Sequence, residues 1–321
     1  MVVYQVISRE IVRSSLKRKA ENDLHTRPNK LIRQELKNTD IAENMEHGDL
    51  KSIRRSIYYV RKKHFPTLPS NFDESLKQLL EMKQTLLHKA CKNNLEVLCN
   101  NEHVFGEGTF TYAPKHFMQL YTIHKQVSTY VSMWKTILNL SMQLIGKNLN
   151  VKIFHADFEK AAHIAVLQSF PQCKIICCTF HLGQSWFRRL KKNKILLKEY
   201  SKNDSEIGRW LKYFFGLPYL NSDEVPDAFT ELISITPGSN ISMDFPDYIL
   251  KNYIDFDADF GPELWASAPD DSPRTTNGAE NFHMHFNSQF YTPHPHIHQI
   301  IQILMEIQVD TDLKINSLKK K

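Results

Sequence analysis

The sequence has little of what marks secreted, disulfide-stapled or membrane-spanning chains. Its 321 residues include only five cysteines, an odd number, and cysteines this sparse indicate a reducing compartment. No apolar run approaches the roughly 18 residues of a membrane span, and the opening segment becomes charged too soon to predict a signal peptide. No Cys/His quartet has zinc-finger spacing. We therefore expect no membrane partner and roughly two domains with room for a core.

Net positive charge is the feature that stands out, and it arises at the beginning of the chain. Residues 1–66 hold 15 Lys and Arg against 8 Asp and Glu, whereas the whole chain has a formal charge of +6. The remainder is therefore close to neutral. A basic segment interleaved with tyrosines can neutralise phosphates and stack on bases.

Three basic clusters carry this charge. We predict that they contact DNA: Lys17, Arg18, Lys19, Arg54, Arg55, Arg61, Lys62 and Lys63. Two plainer explanations stay open, a solvated helical face and a nuclear-import signal. Apolar residues at helical spacing predict that the segment is a basic helical arm over 1–66, followed by a linker helix over 67–95.

The stretch Val151–Leu190 has the clearest alternation of secondary structure. An apolar run, 151–154, precedes Asp157, and a helical pattern then continues until Pro171 stops it. A second apolar run, 174–180, predicts a buried strand, and another helix follows from about Leu182. Ligands of open α/β sheets bind at the carboxyl ends of strands, which is where Asp157 falls.

Three blocks of this sequence resemble the MULE domain of Mutator-like transposases. The first is Phe105–Phe110 with Pro114, Phe117, Gln119–Tyr121 and Ile123–His124; the second is Asp157–Ala161, Phe170–Pro171 and Cys178–Gln184; the third is Arg274–Asn277 with Glu280 and His283. The blocks occur in the family's order and together span about residues 95 to 310. No single block would be specific.

The resemblance implies an α/β fold with an RNase H-like core of the DDE transposase type. It implies that Glu107, Asp157 and Glu280 are the catalytic acids and hold two Mg²⁺ or Mn²⁺ ions for DNA strand cleavage and transfer. Cys178, His181 and His283 would support them. The predicted organisation is a first part of this domain over 96–190, an α-helical insertion over 191–268 and a C-terminal helical part over 269–321. DNA is then the partner and the nucleus the location, with no small-molecule substrate, and a homo-oligomer stays open.

Each site residue also has a plainer explanation. Asp157 can be a helix N-cap, and Asn277-x-x-Glu280 resembles a capping box. Cys178 and His181 form a Cys-x-x-His pair, but two ligands do not make a zinc site. We therefore expect Cys178 to be a buried strand residue and His181 a supporting residue at a helix start. The histidines His294, His296 and His298 are expected on the surface of the final helix, from Ile297 to about Leu318.

Two departures from the family pattern bear on activity. Glu107 stands where the family has Asp, and its longer side chain shifts the carboxylate by roughly one C–C bond, while a displacement of about 1 Å at a reacting centre can cost on the order of 100-fold in rate. After His124 the chain enters a helical pattern at once, where the family has further strands. A second hypothesis is therefore a degraded or domesticated copy without catalysis, kept for DNA binding or protein interaction. A remote third is an RNase H-like nuclease acting on RNA, which charge alone does not distinguish.

Overall fold

The computed structural model describes residues 2–24, 26–37, 47–107, 127–238, 241–270, 273–290 and 293–319. Contacts divide them into two units. The first holds the described residues of Met1–Asn93 and Asn281–Lys321, and the second holds those of Asn94–Glu107 and His124–Glu280. The described chain is mostly helical with a small parallel sheet, which makes it a mixed α/β protein. The predicted division into five segments stays a prediction.

The described residues form these α-helices in chain order: α1 (Val2–Asn22), α2 (Pro28–Lys37), α3 (His47–Lys62), α4 (Phe72–Cys99), α5 (Val127–Ile145), α6 (Lys160–Ser169), α7 (Thr179–Leu190), α8 (Lys194–Tyr200), α9 (Glu206–Phe214), α10 (Val225–Ser234), α11 (Asp244–Ile249), α12 (Asn277–Ser288) and α13 (Ile297–Lys319). The strands are β1 (His103–Phe105), β2 (Ile153–Ala156) and β3 (Lys174–Cys177).

The sheet has the order β1-β2-β3, and both pairs are parallel. Phe154 of the central strand pairs with Val104 on one side and Ile175 on the other. Parallel neighbours need crossover connections; α5 lies between β1 and β2 in the chain, and α6 between β2 and β3. Trp134 of α5 packs edge-on against Phe154 and Phe170, which fixes α5 against the sheet.

The predicted strand–helix–strand–helix order of Val151–Leu190 is confirmed, with two shifted boundaries. β2 begins at Ile153 rather than Val151, and β3 ends at Cys177 rather than Phe180. The predicted end of β3 at Phe180 was wrong because Cys178 is the N-cap of α7. The Thr179 N–H donates to Arg274 O at 3.0 Å instead of continuing the sheet ladder. The apolar run therefore contains both the end of a strand and the start of a helix. The further strands that the resemblance implies would fall on 108–126, outside the described residues.

Most of the described residues of 191–268 lie in helices, as their apolar pattern predicted, and they close a core around α7. Trp186 and Leu190 of α7 are fully buried together with Trp210 and Phe214 of α9. The Trp210 Nε1–H donates to Leu232 O at 2.7 Å, which satisfies the polar edge of a buried indole. An apolar cluster of this second unit thus runs from β3 through α7 and α9 to Trp265.

The first unit contains the predicted helical arm. Val12, Leu16, Ile32 and Ile57 form an apolar cluster among α1, α2 and α3. A second cluster joins α12 to α13 through Phe286 and Phe290, packed on Ile300 and Ile303. The last helix begins at Ile297, as predicted.

The expected surface position of His298 was wrong. Its side chain is 5% exposed, and one of its ring nitrogens lies 2.7 Å from Gln78 Oε1 of α4. Burial holds the pKa of His296 at about 4 and lowers that of His298. Both imidazoles are therefore neutral packing residues at neutral pH.

Candidate functional site at the carboxyl edge of the sheet

The three parallel strands deliver three reactive side chains to one edge of the sheet. Asp157 follows β2 directly, Cys178 follows β3 directly, and Glu107 lies two residues beyond β1. The ladder continues past the two outer strands: the Gly106 N–H donates to His155 O at 2.8 Å and the Cys178 N–H to Ala156 O at 2.9 Å. Residues at the carboxyl ends of adjacent parallel strands lie at the same edge, where α/β proteins bind ligands.

Helix α12 supplies the fourth side chain, Glu280. The segment before this helix is tied to β3 and α7, because both the N–H and the hydroxyl of Thr179 donate to Arg274 O. The Thr276 N–H donates to Cys178 Sγ at 3.5 Å. These bonds fix the start of α12 beside the strand ends, and Glu280 sits on its first turn.

Glu107 and Glu280 converge on one hydroxyl and one imidazole. Thr276 Oγ1, which is fully buried, lies 2.7 Å from Glu107 Oε2 and 3.4 Å from Glu280 Oε1. His181 Nε2 lies 3.5 Å from Glu107 Oε1 and 4.0 Å from Glu280 Oε1. A hydroxyl carries one proton and donates to one carboxylate at a time, and the shorter distance favours Glu107.

Cys178 and His181 shift each other's protonation. The interaction with the Cys178 side chain raises the pKa of His181, against the effect of burial, and the charges of Glu107 and Asp157 raise it further. Burial alone would raise the pKa of Cys178, but His181 and Thr276 outweigh it, so that pKa falls below its ordinary value. Each residue therefore shifts the pKa of the other in the direction of its charged form.

Asp157 is not the N-cap of the helix that follows it. That position belongs to Glu159, whose side chain makes no capping bond. Burial raises the pKa of Asp157, and His181 with the backbone N–H groups of Glu159 and Asp157 offsets only part of this. A carboxylate held partly desolvated at a strand end is typical of functional sites.

The capping-box explanation for Glu280 also does not match the geometry. Asn277 is the first helical residue rather than the cap, and the Glu280 N–H donates to Thr276 O at 2.9 Å. Cys178 is 2% exposed, as expected of a buried residue, but it caps α7 rather than ending β3. His283 lies three residues beyond Glu280 on α12 and is half-buried.

The oxygen donors fit the hard cations that the resemblance implies. Mg²⁺ and Mn²⁺ favour carboxylates and water. Glu107 and Glu280 share the hydroxyl of Thr276, and Asp157 at the same edge is close enough to act on the charge of His181. The three acids therefore supply oxygen donors of the kind that such ions favour, whereas the possible ligands that lie within 4.8 Å of one another among the described residues are Cys178, His181 and Glu280.

The predicted DNA-contacting residues fall into two groups. Arg18, Arg55, Lys62 and Lys63 are exposed, and Lys63 Nζ lies 4.8 Å from the centre of the Tyr59 ring. Lys17 and Arg54 are half-buried, and Lys19 forms an ion pair with Glu35.

Arg61 departs from that prediction. Its side chain is 3% exposed, and Nη2 donates to Asp23 O at 2.6 Å and Thr26 O at 2.8 Å. Arg61 therefore joins α3 to the segment between α1 and α2 and is not available to a phosphate.

No role for Thr276 was predicted from the sequence, although this residue lies within the block that resembles the family's third motif. Its hydroxyl and N–H join three of the site residues, Glu107, Glu280 and Cys178. The only sequence signal for Thr276 was its position beside Asn277 in that block.

Comparisons with protein-family models, with curated proteins and with solved structures give no match to this chain. Among the described residues, no helix is long and apolar enough to cross a membrane.

Proposed function

We propose that this chain is a transposon-derived DNA-binding protein of the Mutator-like type, with an RNase H-like core whose metal-dependent DNA strand cleavage is impaired. The supporting observation is the placement of acids. Glu107 and Asp157 follow adjacent parallel strands, and α12 brings Glu280 to Glu107 through Thr276. An acidic set of this kind suits divalent-metal phosphoryl transfer.

Glu107, Asp157 and Glu280 would hold the metal ions, which when bound would supply Lewis-acid stabilisation and an activated water. The chain's own part is to place the acids. Thr276 orients the Glu107 carboxylate, and burial keeps Asp157 poorly hydrated. Two-metal chemistry needs ions roughly 3.5–4 Å apart, so the extra methylene of Glu107 is the expected cause of weak turnover.

The arm supplies DNA affinity in this proposal. Arg18, Arg55, Lys62 and Lys63 are exposed cations, and Tyr59 is an exposed ring beside them. Counterion release from phosphates makes such binding steeply salt-dependent. DNA as the partner also makes the nucleus the proposed location.

A second candidate function is DNA binding or protein interaction without catalysis. The observation that favours it is His181, whose Nε2 lies between the carboxylates of Glu107 and Glu280. An imidazolium there neutralises charge that a metal would otherwise neutralise. The fold is then kept and the chemistry lost.

The test is Mn²⁺-dependent nicking of supercoiled plasmid DNA by the purified chain. Asp157→Ala should abolish nicking, and Glu107→Asp should raise it on the order of 100-fold, because it restores the shorter acid. Glu102→Ala is the matched control: this exposed acid precedes β1 and pairs with Lys152. Absence of nicking in all variants, with salt-sensitive DNA binding retained, would reject the enzyme in favour of the second candidate.

A further inference from the structure

Cys178, His181 and Glu280 form a mixed set of possible metal ligands, of which the proposed Mg²⁺ set uses only Glu280. One donor atom from each lies within 4.8 Å of the donors of the other two. A sulfur, a nitrogen and an oxygen are a borderline-soft combination that suits Zn²⁺ and is poor for Mg²⁺. Three protein ligands with a fourth position left to solvent are the composition of catalytic zinc sites.

The distances between the three donor atoms need to shorten only slightly to match those of a zinc site. Ligand bonds of roughly 2.3 Å for Zn–S and about 2.0 Å for Zn–N place tetrahedral donors roughly 3.5 Å apart. The Glu280 side chain is 27% exposed and lies on the first turn of α12, so it has rotameric freedom to move in. Cys178 and His181 are already placed by the start of α7, three residues apart.

Hydrogen bonds to the backbone and the sulfur of Cys178 already fix its position as a possible ligand. Its N–H is fixed to Ala156 O at 2.9 Å, and its sulfur accepts the Thr276 N–H at 3.5 Å. Backbone N–H groups directed at a sulfur are the outer-shell bonds that orient and stabilise a metal-bound thiolate.

The two ring nitrogens of His181 have different surroundings. Nδ1 is buried and has no hydrogen-bond partner among the described residues. Nε2 lies 3.5 Å from Glu107 Oε1. Nε2 also lies 4.0 Å from Glu280 Oε1. It is therefore the ring nitrogen placed to share an ion with the Glu280 carboxylate.

We propose that Cys178, His181 and Glu280 bind one Zn²⁺ ion per chain, with the fourth position open to water or a substrate oxygen. Glu280 also belongs to the proposed Mg²⁺ set, so zinc and a magnesium pair exclude each other. Zinc binding does not depend on DNA cleavage and stands even where the chain is catalytically inert.

The test is titration of the reduced full chain with Co²⁺, a spectroscopic substitute for zinc, followed by back-titration with Zn²⁺. We expect one tetrahedral Co²⁺ per chain with a sulfur-to-cobalt charge-transfer band. Cys178→Ser should abolish that band. Glu280→Gln should weaken zinc binding by at least about 100-fold, because losing a ligand costs more than losing an outer-shell partner, whose loss costs about 10- to 100-fold.

Two controls separate this site from other binding. Cys173→Ser removes a buried cysteine outside the cluster and should leave the band intact. Asp157→Asn should also leave it intact, although it removes an acid that the proposed cleavage requires. Loss of nicking with retained cobalt binding in Asp157→Asn therefore distinguishes the two proposals.

Three outcomes would overturn the zinc site. They are absence of stoichiometric binding, binding without a sulfur band, and a band that survives Cys178→Ser. Ions held at His294, His296 and His298 would give the second of these. Because Glu280 is partly exposed, Glu280→Gln folds even if Cys178→Ser does not, and an unchanged affinity in that variant would reject the proposal by itself.

Discussion

Arg61→Met is expected to destabilise the helical arm rather than to weaken its contact with DNA. The buried guanidinium donates to Asp23 O and Thr26 O, and methionine keeps much of the volume while leaving both carbonyls without this donor. Hydrogen bonds from a charged donor contribute about 1.5–3 kcal/mol each. Because the two bonds share one nitrogen and water can reach part of the segment, we expect a total loss of about 2–4 kcal/mol.

Hydrogen exchange measured by mass spectrometry on the full chain can locate this loss. Amides of α1 and α3 should exchange faster in Arg61→Met, while amides of α7 and α9 should not change. Arg55→Met is the matched control, since Arg55 is an exposed arginine of the same helix. It should leave exchange unchanged and lower the slope of log affinity for DNA against log salt by about 0.9 if it contacts one phosphate. Unchanged exchange in Arg61→Met, together with a lowered slope, would refute this assignment.

Two further predictions concern the second unit. Trp186→Ala should cost about 3–5 kcal/mol in urea unfolding followed by tryptophan fluorescence, because a fully buried indole at the centre of the cluster is removed; a cost below about 1 kcal/mol would contradict the packing. Asp157→Asn should raise stability at neutral pH and have no effect below about pH 3.5. Burial raises the pKa of Asp157 in the folded state. The contribution of Asp157 to the free energy of unfolding is therefore fully present below its unfolded pKa and is lost as pH rises through its folded pKa. Asparagine does not titrate, so its contribution does not change with pH. Urea midpoints across that range test the sign, and equal midpoints at every pH would contradict it.

Local periodicity predicted the fold well where one pattern governs one element. The apolar residues Ile53, Ile57 and Val60 predicted a helix and its buried face. The same pattern places Arg61 four residues after Ile57, on that face, and so carried the information that it is buried. We instead grouped Arg61 with its basic neighbours, and so predicted that it is exposed. Charge clusters describe composition, whereas burial depends on which face a residue occupies.

The site was predicted only in part, because its contacts join distant segments. The end of the first predicted strand placed Asp157 at the edge of the sheet, whereas Cys178 was predicted to lie within the second strand. The hydrogen bond from Thr276 to Glu107 joins residues 169 positions apart in the sequence, and no local sequence pattern predicts it. The burial of His298 is similar, since its partner Gln78 lies 220 positions away. The RNase H-like core and the transposase resemblance stay proposals.

The most direct test of the central claim is a crystal structure of the chain grown with Mn²⁺, with anomalous scattering used to locate the ion. The proposal predicts manganese bound by carboxylate oxygens of Glu107, Asp157 and Glu280 at the carboxyl edge of β1 and β2. Manganese absent from this edge at saturating concentration, with the three acids bonded only to protein groups, would contradict it.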